Sequence, residues 1–410
     1  MIAWLLISFF VLLFLGVPIA MSLGLSAMGG ILFLGGGSTV TIAQRMFEGM
    51  NSFALLAIPL YTFAGFTMSK GGISKRLMDF CYSIVGHIYG GLAHVNVLSS
   101  MIFAGISGSA VADTAGVSGM FMPEMIRKGY SKNFTVAVTA ISSTIGIIIP
   151  PSIPMVVIAG ICGISTGKLF LGGIIPGILC GLAQMIVSYF LAKKEGVPKE
   201  PGHFTIGPVL HGLWESWPAL LMPIIIVGTI TMGIVSPTEA GVIAVVYGLF
   251  AGGIIYRELK WEDIKFAFAE TVRTSGRIFI VIGAAKLYTV MLTTAGFDKW
   301  VAKTMLGFST NPTVILIMIL LIFFIVTMFM ESIATLTLFM PILYPIALGV
   351  GINPIVLSVL ITVVIGIGLV TPPVGMCIYV ACDLMDTTVG EVFPTLVPFI
   401  AATFVCIALM

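Results

Sequence analysis

Apolar stretches follow one another along this chain with few interruptions. Val314–Met330 and Ile355–Val370 contain no charged residue, and a helix needs about 20 apolar residues to cross a bilayer core of about 30 Å. Further apolar segments run from Phe134 to Cys162, Leu169 to Leu191, Trp214 to Val235 and Ala240 to Tyr256. The pattern predicts an all-α polytopic membrane protein with no separate soluble domain. The run from Met1 has no basic leader and continues into further apolar segments, so it is expected to be a first transmembrane helix rather than a cleaved signal.

Charged clusters punctuate the pattern and set its sidedness, because short cytoplasmic loops collect Lys and Arg. Lys70-Lys75-Arg76, Arg127-Lys128-Lys132, Lys193-Lys194-Lys199 and Arg257-Lys260-Lys265 are all placed in the cytoplasm. Two apolar crossings fit between the second and third clusters, and two more between the third and fourth. Between the first and second, however, the apolar stretch Val95–Met125 is interrupted at Gly105–Gly116 by glycines, serines and Asp113. Glycine and serine disfavour a helix interior. The segment is expected to be the tip of a re-entrant hairpin on the cytoplasmic side, with protein or a watery cavity covering its irregular backbone.

An internal repeat follows. Phe121-Met122-Pro123 matches Phe339-Met340-Pro341, which sets Asp113 on Glu331. Gly146-Ile147-Ile148-Ile149-Pro150-Pro151 matches Gly368-Leu369-Val370-Thr371-Pro372-Pro373, and Pro176 then falls on Pro398. The first copy's loop carries Arg127, Lys128 and Lys132, whereas the matching loop of the second, Leu348–Pro354, is uncharged. That difference predicts inverted-topology repeats, with about ten transmembrane helices, two opposed re-entrant hairpins and both termini periplasmic. The expected division is residues 1–51 as N-terminal helices, 52–192 as the first repeat, 193–262 as a central helix pair and 263–410 as the second repeat. Ile73–Tyr89 and Phe297–Phe308 are shorter and amphipathic, and are expected to lie along the interface as arms.

Composition narrows the function. The 410 residues are 59% hydrophobic and 9% charged, with a mean hydropathy of +1.16, against roughly a quarter charged in soluble domains. A net charge of +2 suggests no nucleic-acid surface. Cys81, Cys162, Cys180, Cys377, Cys382 and Cys406 show no metal or disulfide spacing and are expected to pack. His87, His94, His203 and His211 form no cluster, and Gly35-Gly36-Gly37 lacks the Lys and Ser or Thr of a phosphate loop. With no nucleotide, metal or catalytic signature, the energy for transport would come from an ion gradient or another subunit.

Inverted repeats with broken helices place binding sites where hairpin tips meet unwound segments. The candidates fall in pairs: Ser107, Ser109 and Asp113 with the break at Gly146–Pro151, then Thr327, Glu331, Ser332 and Thr335 with the break at Gly368–Pro373. Each Pro-Pro pair removes two backbone donors and frees carbonyls near Gly146, Ile149, Gly368 and Thr371. Carbonyl and hydroxyl oxygens suit a hard cation such as Na⁺. The alternative for either pair is a simple kink, which the symmetric recurrence disfavours. Asp113 and Glu331 are costly in hydrocarbon, so they act on the ions or cap a hairpin helix at its N-terminus, and capping is the favoured role. Glu239 reads as a helix cap, and Lys286 as a snorkelling or paired residue.

These same motifs, GISGSAVADT at Gly105–Thr114, Gly146–Pro154, GIVSPTEA at Gly233–Ala240 and GLVTPPVG at Gly368–Gly375, resemble those of the large permease subunit of TRAP (tripartite ATP-independent periplasmic) transporters. The resemblance runs from about Ala54 to the C-terminus, with departures at Ser236, Thr327 and Glu331. It implies an elevator-type carrier in the bacterial inner membrane, driven by a Na⁺ gradient. It also implies a small membrane subunit of about four helices and a periplasmic substrate-binding protein that delivers a small organic anion such as a dicarboxylate or sugar acid. The implied Na⁺ ligands are Ser107, Ser109, Gly146, Ile149 and Pro151 for one ion, and Gly368, Thr371 and Val374 for another. The rival expectations are a stand-alone Na⁺/dicarboxylate carrier of related fold, a membrane-embedded enzyme and a passive channel.

Overall fold

The structure, a computed structural model, describes residues 1–34, 39–197 and 205–410; Gly35-Gly36-Gly37, Lys199 and His203 lie outside the described residues. Within those residues the chain is helical, without a strand. Three short N-terminal helices, α1 (Ile2–Phe14), α2 (Ile19–Leu34) and α3 (Thr39–Met50), pack on the long α13 (Trp261–Thr294). Buried Leu5, Phe9, Leu23 and Ala27 meet Ala284, Tyr288 and Met291 there. Tyr288 donates its hydroxyl to the Leu5 carbonyl at 2.9 Å, which fixes the register. On the same helix Lys286 packs its stem against Gly49 and lies within electrostatic reach of Glu48.

Helices α4 (Ala57–Lys70), α11 (Ile206–Thr231) and α12 (Pro237–Phe250) form a second group, which meets α13 through α4. Two buried hydroxyls join its parts: Tyr61 donates to the Pro237 carbonyl at 2.7 Å, and Thr238 to that of Phe53 at 3.1 Å. Glu239 does cap α12. Its carboxylate accepts from Ser236 N at 2.6 Å while Ser236 Oγ accepts from Glu239 N at 3.3 Å, a capping box with Pro237 opening the helix. The amphipathic stretches form α5 (Ile73–Val85), packed on α11, and α14 (Phe297–Phe308).

The remaining helices are duplicated. A hairpin of α6 (Gly91–Ser107) and α7 (Ala110–Arg127) precedes α8 (Lys132–Ser143), a 3-10 turn over Thr144–Ile147, α9 (Ile153–Cys162) and the long α10 (Thr166–Lys194). The second copy runs α15 (Pro312–Thr327), α16 (Ser332–Gly349), α17 (Pro354–Gly368), α18 (Met376–Asp383) and α19 (Val389–Leu409). Their contacts are reciprocal: α9 packs on α16 as α18 packs on α7, and α10 on α17 as α19 on α8. Thr144 and Gly366, each two residues before the break glycine of its own repeat, touch one another, as positions on a pseudo-two-fold axis must. Lys132 at the start of α8 donates to the Met385 carbonyl just past α18 at 3.4 Å. The two broken helices therefore run antiparallel, and the repeats are inverted.

Length alone gives a different span count from the sequence pattern. Among the described residues seven helices are long and apolar enough to cross unaided, whereas α1, α2, α6, α9, α15 and α17 are shorter apolar helices. The first of these, with 13 residues, covers about 20 Å at about 1.5 Å per residue, short of a full crossing. Broken helices cross only as pairs. Helix α10 shows the lipid-facing pattern: Gly173, Gly177, Gly181 and Gln184 point inward, while Ile175, Leu182, Ile186 and Phe190 are exposed.

Candidate functional site

In an α-helix each carbonyl accepts from the N–H four residues on, and proline has none to give. Pro150 and Pro151 therefore orphan the carbonyls of Gly146 and Ile147, and Pro372 and Pro373 orphan those of Gly368 and Leu369. The second carbonyl of each pair finds another donor: Ile147 takes the Ser152 hydroxyl at 2.5 Å, and Leu369 takes Cys377 N at 2.9 Å. The first does not behave alike in the two copies. Ile149 N bonds to Ile145 O, which leaves Gly146 O without a donor among the described residues, whereas Gly368 O accepts from Thr371 N at 3.1 Å. The expectation of a free Gly368 carbonyl is thus corrected, because a tighter turn engages it. The carbonyls of Ile149 and Thr371 accept no hydrogen bond among the described residues.

Each break is held by its own hairpin tip. Ile153 N, just past the first Pro-Pro pair, donates to Gly108 O at 3.2 Å; Val374 N, just past the second, donates to Met328 O at 3.0 Å. Gly108 has φ +66°, and a Cβ there would press on Pro151 O, so glycine is required twice over. On the other side of each break, Gly146 faces Asp113 and Gly368 faces Thr327 at distances that exclude a side chain. Helix α10 backs the first break with Gly177 packed against Ile149.

The first tip is narrower than the sequence suggested. Helices run up to Ser107 and resume at Ala110, so Gly105 and Gly116 are helical and only Gly108 and Ser109 form the turn. Ser109 is the N-cap of α7, accepting from Ala112 N at 3.5 Å. Ser107 Oγ donates to Asp113 Oδ1 and accepts from Ser109 N at 3.2 Å. Asp113 lies one turn inside α7, buried, and its Oδ2 has no hydrogen-bond partner among the described residues. It is not the cap, which corrects the favoured role for this residue.

Glu331 does what Asp113 does not. It is the N-cap of α16, accepting from Ile333 N at 2.9 Å and Ala334 N at 3.3 Å, with the Ser332 hydroxyl donating at 2.8 Å. The two carboxylates match by residue count yet differ by one helical turn, because Met328–Met330 are unwound at the second tip. The hydroxyls of Thr327 and Thr335 donate to Phe323 O at 2.5 Å and Glu331 O at 3.1 Å, so both protons are committed to backbone. The tips converge on the start of α18, where the Cys377 thiol faces the Thr114 hydroxyl within electrostatic range of Asp113 and Glu331.

A polar cluster not singled out from the sequence ties the first hairpin to its broken helix. Asn96 Nδ2 donates to Thr139 Oγ1 at 2.7 Å, Ser142 Oγ donates to Asn96 Oδ1 at 3.0 Å, and Ser100 and Ser142 hydroxyls are 3.1 Å apart. Its signal was there as polar residues at helical spacing inside apolar helices.

Antiparallel broken helices, each closed by a hairpin of its own repeat, define a secondary transporter of the membrane, with unwound oxygens at the repeat interface. The chain belongs to the family described as the tripartite ATP-independent periplasmic transporter, DctM component, whose pattern matches residues 6–410; the likeness thus begins well before Ala54. It is a multi-pass protein of the bacterial inner membrane. It is 35% identical over 399 residues to the sialic acid TRAP transporter large permease protein SiaM of Vibrio cholerae, covering 97% of this chain and 93% of that protein. It is 37% identical over 393 residues to the isethionate TRAP transporter permease protein DctMQ of Oleidesulfovibrio alaskensis, covering 96% of this chain but only 62% of that protein. The YdaH transporter of Alcanivorax borkumensis, known from a crystal structure of unusual topology, has the same fold at a TM-score of 0.63 and 13% identity, over 90% of this chain and 86% of that one.

Proposed function

We propose that this chain is the permease of a Na⁺-coupled carrier for a small organic anion, with the two break-and-tip arrangements as its cation sites. The observation that carries the proposal is the duplicated lock of tip on break, Ile153 N on Gly108 O and Val374 N on Met328 O, beside the free carbonyls of Ile149 and Thr371. Ser107, Ser109, Gly146 and Pro151 complete the first set of oxygens, and Gly368 and Val374 the second. Neutral oxygens suit a hard monovalent cation, and the carboxylates of buried Asp113 and half-buried Glu331 offset its desolvation. Thr327, Ser332 and Thr335 then form the substrate-side wall of the second tip.

The substrate class rests on relatives named for sialic acid and isethionate, a carboxylate and a sulfonate. The tripartite character of the family supports two further components, a small membrane subunit and a periplasmic binding protein that hands over the anion. An elevator movement fits the packing. The hairpins and broken helices cross-brace one another, α9 on α16 and α18 on α7, while Gly105 of the first hairpin meets α11 through the smooth ring of Pro223. In this mechanism the two hairpins and their broken helices, α6–α9 and α15–α18, carry the sites past a frame that includes α4, α11, α12 and α13.

Proteoliposomes holding this chain with its small subunit, supplied with the binding protein outside, are expected to accumulate labelled organic acid under an inward Na⁺ gradient. Equal uptake in K⁺, or uptake unchanged by omitting the binding protein, overturns the proposal.

A further inference from the structure

The two repeats share a backbone but not an interior. In the first, α8 carries Thr135, Thr139 and Ser142 on one face, rising from a turn above the basic Arg127–Lys132 loop to the 3-10 turn of the first break. Across from them stand Asn96 and Ser100 of α6, and Ser118 of α7, which shares a helix face with the Met125 that touches Asn96 Nδ2. All six side chains are buried. In the second repeat the positions that match Ser118, Thr135, Thr139 and Ser142 are Leu336, Leu357, Ile361 and Val364, equally buried and wholly apolar.

Hydrogen bonding sharpens the contrast. Among the described residues Ser118 Oγ and Thr135 Oγ1 have no partner, nor do Asp113 Oδ2 at the top of the strip and Gln184 Oε1 of neighbouring α10. Among the described residues no buried side-chain atom of α15–α19 is left so. A buried hydroxyl without a protein partner costs about 1–3 kcal/mol, so these two hydroxyls, with the free oxygens of Asp113 and Gln184, call for small polar guests that make several hydrogen bonds. The strip begins beside the cytoplasmic basic loop and ends where Gly146 faces Asp113.

We propose that this strip is a hydrated polar file through which water, and with it the departing monovalent cation, passes between the first break and the cytoplasm, while the matching strip of the second repeat is dry. Its role in cation release rests on the Na⁺-coupled function proposed above; its hydration does not. The asymmetry gives an otherwise duplicated structure a direction. The repeat that opens toward the cytoplasm is wettable, and the one that opens toward the periplasm is sealed by Leu336, Leu357, Ile361 and Val364.

Two methionines test the hydration directly. Met125, beside Asn96, and Met340, in the second repeat, are both 0% exposed, so bulk solvent reaches neither and only internal water distinguishes them. Hydroxyl-radical footprinting of the full chain in nanodiscs is expected to oxidise Met125 and to spare Met340. Equal protection of the two, or faster oxidation of Met340, overturns the file. The double variant Ser118→Ala, Thr135→Val removes both unpartnered hydroxyls and is expected to lose Met125 oxidation and to slow Na⁺-driven uptake, with an unchanged melting temperature showing that it folds. Uptake at the wild-type rate in a variant that has lost Met125 oxidation overturns the release role. If wild-type flux proves independent of Na⁺, the coupling proposal fails while the footprint still decides the file.

Discussion

Gly146 of the first break lies so close to Asp113 of the first hairpin that a Cβ built on the glycine falls on Asp113 Oδ2. The carboxylate is therefore held against bare backbone, in a position that only glycine allows. Gly146→Ala is expected to push the tip off the break and raise the Na⁺ concentration for half-maximal uptake by at least about tenfold, since small misplacements in a preorganised site are amplified. Gly116→Ala and Gly119→Ala, on the same hairpin but with open space around the added atom, are expected to leave that value unchanged. A Gly146→Ala carrier with the wild-type Na⁺ dependence contradicts the close approach.

Much of this was legible in sequence because proline acts locally. The absence of an N–H at Pro150 and Pro372 can be read without knowing the fold, and so can the duplicated spacing that ties them to Gly146 and Gly368. What could not be read depends on tertiary partners. Gly105 looked like part of an unwound tip, yet it is helical and small because Pro223 packs against it. Asp113 and Glu331 matched by residue count but took different roles, since residue count does not register the unwound Met328–Met330. Asn96 was passed over because its value lies in Thr139 and Ser142, which are distant along the chain and close in space.

The prolines themselves can be tested. Pro150→Ala supplies the N–H that Gly146 O lacks, so α8 is expected to extend by a bond and the carbonyl to be lost as a cation ligand. The expected outcome is weaker Na⁺ dependence of uptake with stability held or improved, because a helix bond is gained. Pro372→Ala should do less to Na⁺ dependence, since Gly368 O already accepts from Thr371 N. Calorimetry paired with Na⁺ titration of uptake distinguishes the two, and equal effects would contradict the asymmetry between the breaks.

Tyr61 joins α4 to α12 far from either break along the chain. Its hydroxyl donates to Pro237 O at 2.7 Å and the residue is fully buried. Tyr61→Phe removes that hydrogen bond and is expected to cost about 1 kcal/mol, in the range for hydrogen bonds inside membrane proteins. Thermal unfolding should show the loss, while Na⁺ and substrate half-saturation stay as in the wild type. A shift in half-saturation without a fall in melting temperature would place Tyr61 in the transport cycle instead.

The two tip carboxylates make opposite predictions. Glu331 holds the start of α16 through Ile333 N and Ala334 N, so Glu331→Ala is expected to lose a cap worth about 1 kcal/mol, and Glu331→Asp, itself a strong capping residue, to keep most of it. Asp113 caps nothing, because Ser109 does so. Asp113→Ala removes a buried carboxyl group with one oxygen unpartnered among the described residues, so stability is expected to hold or rise. What it loses is the acceptor that orients Ser107 at the tip, so the cost should appear in the Na⁺ dependence of uptake. Melting temperatures and Na⁺ titrations of the three variants decide the matter: a destabilised Asp113→Ala chain, or a Glu331→Asp chain as unstable as Glu331→Ala, would show that the roles assigned to the two carboxylates are wrong.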